Sequence, residues 1–300
     1  MAARFWRCVL GCELLIAAAI AWIWAATRHW TPGAALAVAL GLFAAIQLLL
    51  VGASFVTAQI LSRGERRRGS VLRALATECV QFWHAQLAMS GVLGWRARDT
   101  HHQPAGYPAR PVLLLHGILC NGAVWGRLRR RLGTAGFAPI RAPDLEPPGG
   151  DIEAWCACAQ RELLAIQRQC HGAPVAIVAH SMGGLVARSL LASVAPDVIS
   201  GIVTVASPHH GTVLARCLPL AGARQMRPDS RWLAALNAAQ EGQLDVPLTS
   251  IYSREDSLLV PAQSAVLRGA RSRELQGLGH FGMLRSRRAL DAIISALGRA

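Results

Sequence analysis

The sequence predicts an α/β domain, a mostly parallel sheet with flanking helices, preceded by two transmembrane helices. Three observations carry this prediction. Two long apolar segments open the chain. From Pro111 onward short apolar runs alternate with helical segments, as strands and crossover helices of a parallel sheet do. The apolar run Val175 to Ala179 then enters a turn of small residues and continues as a helix.

Residues 8–27 contain Glu13 as their only charge, and residues 33–61 contain none. At a helical rise of about 1.5 Å per residue, each is long enough to cross a hydrocarbon core of about 30 Å. Arg28, His29, Trp30, Thr31 and Pro32 form a short polar turn between them, so the two read as a hairpin. Arg4 and Arg7 precede the first span, and Arg63, Arg66, Arg67, Arg68 and Arg73 follow the second. Basic residues are retained on the cytoplasmic side, so both ends, and the domain after them, are expected in the cytoplasm at a bacterial inner membrane. The basic run suits anionic lipid headgroups. A cleaved signal peptide with Ala19-Ile20-Ala21 as its site is the competing reading. Glu13 inside the apolar stretch and the second span count against it.

All 31 basic side chains are Arg, which excludes a phosphate-cradling or Schiff-base lysine. The net charge of +14 raises nucleic acid as a partner, but no binding motif accompanies it and none is expected. The eight cysteines include no C-x-x-C pair, so neither zinc nor another metal or cofactor is expected. They read as reduced and mostly buried.

The organisation expected is a hairpin with its basic run over 1–68, a helix and linker over 69–110, and a catalytic domain over 111–300. In the second of these, Val71, Leu72, Leu75, Cys79, Phe82, Trp83 and Leu87 recur at helical spacing within 70–95. Such a helix packs on the domain or lies in the membrane interface, and the pattern does not choose. Residues 96–110 read as a linker. Strands are expected at 112–115, 137–141, 175–179, 202–206, 248–252 and 273–278, with helices at 122–132, 151–169 and 182–193.

Ser181 stands at the apex of the turn after the third of these strands, where a serine hydroxyl is exposed and the helix N-terminus can stabilise an oxyanion. Asp256 follows the strand at 248–252, and His280 follows the last strand. In these roles His280 takes the hydroxyl proton, and Asp256 fixes its tautomer and stabilises the imidazolium. Glu255 is an adjacent rival for the acid. Backbone N–H groups of Ile118 and Met182 are the expected oxyanion donors. His116 reads as structural, and His180, His209 and His210 as satisfied polar residues near the site. Ser181 and His280 are expected on surface-exposed loops.

The motifs Leu113-Leu114-Leu115-His116-Gly117, Ala179-His180-Ser181-Met182-Gly183-Gly184, Ala206-Ser207-Pro208-His209-His210-Gly211-Thr212, and the Asp256 and His280 turns occur in order. Together they resemble bacterial lipases and esterases of the α/β-hydrolase superfamily, in the triacylglycerol lipase and deacylase-like branch, over about 111–297. Ala179 replaces the first Gly of the G-x-S-x-G elbow, a position that needs only a small side chain. The resemblance implies an α/β-hydrolase fold and hydrolysis of carboxylic esters of lipid-like substrates through an acyl-enzyme. Thioester hydrolysis or acyl transfer by the same triad stays open, as does a hydrolase fold turned interaction or transport module, which an intact triad disfavours. Residues 212–246, with Leu214, Leu218, Met226 and Trp232, read either as a cap over an acyl pocket or as ordinary helices on the sheet.

Overall fold

The computed structural model describes residues 1–28, 30–62, 68–92, 109–240 and 244–298, with 68–70 as backbone only. Six strands, β1 (Val112–Leu115), β2 (Ile140–Arg141), β3 (Val175–His180), β4 (Ile199–Val205), β5 (Leu248–Tyr252) and β6 (Arg271–Glu274), form one parallel sheet in the order β2-β1-β3-β4-β5-β6. The chain leaves β1 for β2 on one side and returns to β3 on the other. The carboxyl ends of β1 and β3 therefore flank the switch point where α/β sheets bind ligands.

Before the sheet lie α1 (Ala2–Arg28), α2 (Pro32–Leu61) and α3 (Arg68–Ser90); α4 (Gly126–Thr134), α5 (Ile152–Gln169), α6 (Met182–Leu190), α7 (Ala221–Gln225), α8 (Arg231–Ala239), α9 (Gly282–Arg285) and α10 (Arg287–Leu297) accompany it. One face of the sheet buries Leu113, Leu115 and Ile177 against Trp155, Leu163 and Leu185 of α5 and α6. The other buries Leu114 and Val178 against Trp125, Leu128 and Leu290, and Trp6 of α1 joins that core. Each fully buried leucine contributes about 1.5–3 kcal/mol by removal from water. Asp151 caps α5 by accepting the Glu153 N–H at 2.8 Å.

Several boundaries differ from expectation for local reasons. The strand expected at 137–141 shrinks to β2, because the Phe137 N–H is taken by the Leu132 carbonyl after α4 and Pro139 has none to give. A single 3-10 turn at Gly122–Trp125 precedes α4. β6 begins earlier than the apolar pattern suggested, since this edge strand carries the exposed polar run Arg271 to Arg273.

α1 and α2 are each long and apolar enough to cross a membrane, and little of either is buried. α3 packs on both the hairpin and the domain, resolving the two readings of that helix. On its hairpin side, Gln86 Nε2 donates to Glu13 Oε2 at 2.8 Å, while Gln47 Nε2 donates to Glu13 Oε2 at 2.9 Å and to Gln86 Oε1 at 3.2 Å. Glu13 of the first apolar segment and Gln47 of the second are thus joined at one buried node. On the domain side, Asn121 Nδ2 donates to the Met89 carbonyl at 2.9 Å, and Trp6 Nε1 of α1 donates to the Leu119 carbonyl at 2.6 Å. The hairpin and α3 are therefore packed on the domain. Arg63, Arg66, Arg67 and nearly all of the expected linker lie outside the described residues.

All eight cysteines are free thiols, but only Cys120, Cys156 and Cys170 are buried. Cys8 and Cys12 on α1 and Cys217 after β4 are exposed, so the expectation of mostly buried thiols is corrected.

Candidate active site

The register of β1 against β3 pairs Leu115 with Ala179, so the loops that follow bring Gly117 beside Ser181. A Cβ on Gly117 would stand 2.8 Å from the Ser181 Cβ, and one on Gly183 would stand 2.5 Å from the Leu115 carbonyl oxygen. Only glycine permits either approach. Ser181 has φ 55° and ψ −126°, a strained conformation for a residue with a side chain, and it sits directly before α6. Its own N–H donates to the Val205 carbonyl at 2.9 Å, tying the elbow to the end of β4.

His280 lies in the loop after β6, and its Nδ1 is 2.9 Å from Asp256 Oδ2 and 3.0 Å from Oδ1. Asp256 Oδ1 also accepts the Leu258 and Leu259 N–H groups at 2.8 and 2.9 Å, which fixes the carboxylate on the loop after β5. Glu255 turns elsewhere. Its Oε2 accepts the Gly277 N–H at 2.8 Å and the Ser253 hydroxyl at 3.1 Å, joining the acid-bearing loop to the histidine-bearing one.

Burial alone pulls the His280 imidazole toward neutrality. The charge and hydrogen bonds of Asp256 outweigh it, with a smaller contribution from Glu78, so the His280 pKa lies above the usual histidine value. For Asp256 burial pushes the other way, but His280 and the two backbone N–H groups hold it below the usual carboxylate range. Ser181 and His280 are 8 % and 5 % exposed, not surface-exposed as the loop positions suggested. They border a single cavity of about 330 Å³ with Ile118, whose mostly apolar lining includes Leu214, Leu218, Met226 and Leu259. That volume is at the lower end of small-molecule sites.

His116 acts structurally. Its Nε2 accepts the Leu145 N–H at 2.8 Å, so Nδ1 carries the proton and donates to the Gly117 carbonyl at 2.9 Å, bracing the loop that approaches Ser181. His180 is buried with its ring 4.5 Å from that of His280, and burial followed by the His280 charge keeps it neutral. It is incompletely satisfied, since Nδ1 has no hydrogen-bond partner, and the same holds for His209 Nδ1, whose Nε2 meets the Thr204 hydroxyl at 2.9 Å. His210 Nδ1 lies 3.3 Å from Asn237 Nδ2 on α8. The segment 212–246 does both: Leu214, Ala215, Cys217, Leu218 and Met226 line the cavity, and Ala215, Met226 and Leu233 also belong to the sheet core, with Leu218, Trp232 and Leu236 packed against it.

Two elements of the site fall outside the triad motifs. Glu78 of α3 is buried, and its Oε1 and Oε2 accept the Phe281 and Gly282 N–H groups at 2.6 and 2.8 Å. Desolvation pushes its carboxyl up to about 7 against those two hydrogen bonds. Its signal in the sequence is an acid within the apolar stripe of Leu75, Cys79 and Phe82. The second element is α2, whose Ala53, Ser54 and Thr57 form one wall of the cavity.

A parallel sheet with a strained serine elbow at its switch point and an Asp-His pair on the following loops decides the fold. The chain has the α/β-hydrolase fold. Its residues 160–270 match the PGAP1-like alpha/beta domain. The chain is 40 % identical over 111 residues to lipase LipV of Mycobacterium tuberculosis, covering 35 % of this chain and 40 % of that protein. It is 30 % identical over 121 residues to the triacylglycerol lipase of Pseudomonas fragi, covering 37 % of this chain and 39 % of that one. It thus spans about two fifths of the length of the curated relatives it matches. The lipase BlEst2 of Bacillus licheniformis, in its mature form, superimposes with a TM-score of 0.58 at 15 % identity, over 67 % of this chain and 98 % of that one, which reports the hydrolase fold.

Proposed function

We propose that the protein is a membrane-anchored serine esterase or lipase that hydrolyses carboxylic esters of lipid-like substrates through an acyl-enzyme. The observation that carries this reading is the His280 imidazole clamped by Asp256 at 2.9 Å while His280 and Ser181 border one apolar cavity. The likeness of a 111-residue stretch to lipase LipV and of a 121-residue stretch to the triacylglycerol lipase of Pseudomonas fragi supports the ester class.

In this mechanism Ser181 Oγ attacks the ester carbonyl carbon as His280 Nε2 accepts its proton. Asp256 holds Nδ1–H and stabilises the imidazolium. The negative oxygen of the tetrahedral intermediate is met by the N–H groups of Ile118 and Met182, the latter at the start of α6. His280 returns its proton to the leaving alcohol, and water, activated by the same imidazole, releases the carboxylic acid. The lining selects an apolar acyl group. Anchoring is assigned to α1 and α2, with the hydrolase domain in the cytoplasm.

A panel of p-nitrophenyl esters, assayed with the full chain in detergent, tests the reading. Ser181→Ala and His280→Ala each abolish turnover if it is right. Full turnover by either variant, with Ser181→Ala indistinguishable from the parent, contradicts it.

A further inference from the structure

α2 does more than line the catalytic cavity at one point. A second cavity, of about 120 Å³, is bordered by Leu50, Val51 and Ser54 of α2 together with Phe82, Leu258 and Phe281. Ser54, Leu258 and Phe281 also border the catalytic cavity, so the two are neighbours along the same helix. Glu78 touches the second cavity as well, with its oxygens engaged by the Phe281 and Gly282 N–H groups.

The wall is made to receive an apolar chain. Gly52, Ala53 and Ser54 are consecutive small residues, which leaves room beside the helix. The Ser54 hydroxyl donates back to the Val51 carbonyl at 2.7 Å, so its polarity is spent within α2. The outer end of the groove opens among exposed apolar side chains: Leu50 is 53 % and Leu258 38 % exposed, and Leu49 and Val56 on the same helix are exposed as well. Such a surface suits acyl chains rather than water.

Depth agrees. α2 has 30 residues, about 45 Å at the helical rise, which matches a bilayer with its interfacial layers. Ser54 lies about 10 Å before the helix end at Leu61, at the boundary of headgroups and acyl chains. The ester groups of a membrane lipid occupy that same level.

We propose that the groove along Leu50, Ser54 and Leu258 is the acyl-chain subsite and lateral entrance of the enzyme, and that its occupant is the acyl chain of a membrane-resident ester entering from the bilayer. The inference rests on Ser181 being the nucleophile. The transmembrane helix is then part of the substrate site rather than a tether.

A dodecyl fluorophosphonate with a diazirine at the end of its chain reads both points in the full-length protein in phosphatidylcholine vesicles. Ser181 Oγ bonds to phosphorus, fluoride leaves, and the hydroxyl proton passes to His280. Irradiation then expels dinitrogen, and the carbene inserts into whatever lies at the chain end. The expected result is a Ser181 adduct cross-linked chiefly to residues 50–57 of α2 or to Leu258. A Ser181 adduct cross-linked chiefly within 214–226 overturns the inference and leaves the esterase reading standing. Absence of the Ser181 adduct overturns both. In parallel, Ser54→Trp is expected to lower the ratio of kcat/KM for dodecanoyl over butanoyl esters about tenfold. Leu49→Trp, on the exposed face of the same helix, is expected to leave that ratio alone. An equal effect of the two substitutions contradicts the subsite.

Discussion

Glu78 accepts the N–H of Phe281 at 2.6 Å, one residue past His280, from a helix that precedes the hydrolase domain. With the second bond, from Gly282, this carboxylate fixes the start of α9 and hence the backbone that carries the imidazole. The nearness is tight: a Cβ on Gly279 would stand 2.5 Å from the Glu78 carboxylate. α3 thereby couples the α1–α2 pair, through Gln86, to the loop that carries His280, through Glu78.

Replacing Glu78 tests that coupling. Glu78→Gln turns one acceptor into a donor facing an N–H group, and kcat/KM is expected to fall about tenfold or more. Because the Glu78 charge raises the His280 pKa, the acid limb of the pH–rate profile also moves to lower pH. A fall in activity with an unmoved acid limb would restrict Glu78 to a purely structural role.

In the proposed mechanism the Asp256–His280 pair sets the pH dependence. Catalysis needs neutral His280, and its pKa is raised, so activity is expected to fall on acidification through a pH above the usual histidine value. Asp256→Asn removes the stabilising charge, shifting that limb to lower pH and reducing kcat by about 10⁴-fold. Glu255→Gln acts on the loop junction at Gly277, and its expected signature is a lower Tm with a far smaller loss of kcat. The reverse ranking of these two variants assigns the acid to Glu255. The pair also contributes to folding. His280 stabilises fully below its unfolded pKa, a contribution lost as pH rises through the raised folded value; Asp256 stabilises above its unfolded pKa, a contribution lost as pH falls through the lowered one.

Gly117→Ala is expected to be disproportionately harmful to turnover. The added methyl meets the Ser181 Cβ at 2.8 Å and pushes the Ile118 loop away from the nucleophile. Loss of one oxyanion donor costs about 10²–10³ in kcat. Kinetics and a melting curve on the same preparation check it, and an active variant with parental kcat would remove Ile118 from the oxyanion hole.

Strain at the elbow has a stability signature. Ser181 holds φ 55°, a region glycine occupies without penalty, so Ser181→Gly is expected to stabilise the fold by about 1 kcal/mol while abolishing activity. Ser181→Ala keeps the strain and gains nothing comparable. Denaturant unfolding of the two variants provides the comparison, and equal stability would mean that the elbow stores no strain.

Reporter fusions at the C-terminus test the orientation drawn from Arg4, Arg7 and Arg73. Activity of a cytoplasm-dependent reporter and silence of a periplasm-dependent one is the expected outcome. The opposite pattern reverses the topology and removes the argument for reduced cysteines.

Ser181 and Asp256 stood out because each follows a strand, and His280 because the three come in the order Ser, Asp, His; the structure puts His280 2.9 Å from Asp256 and beside the cavity that Ser181 borders, and their roles are those proposed above. β1 and β3 were legible because Val112 to Leu115 and Val175 to Ala179 are continuous apolar runs buried between helix layers. β6 was not, because an edge strand with exposed Arg271 and Arg273 lacks that pattern. Nor was Glu78. A carboxylate on an amphipathic helix reads as a blemish until the loop two hundred residues later is seen to donate to it. Glu13, Gln47 and Gln86 posed the same difficulty, each an isolated polar residue in sequence and one hydrogen-bonded node in space. The exposure expected of Ser181 and His280 failed because Ala53, Ser54 and Thr57 of α2 and Leu214, Ala215, Leu218 and Met226 wall the cavity they border, a tertiary effect that no local pattern encodes.

The central claim is a serine nucleophile activated by a buried His-Asp pair, and trapping the acyl-enzyme tests it most directly. Full-length protein is mixed with p-nitrophenyl dodecanoate, quenched with acid within the first turnovers, digested and mapped by mass spectrometry. The account predicts a dodecanoyl group on the peptide containing Ser181, released on continued incubation of the parent and absent from Ser181→Ala. An acyl group on another residue, or ester hydrolysis that persists in Ser181→Ala with no acylated peptide, would contradict it.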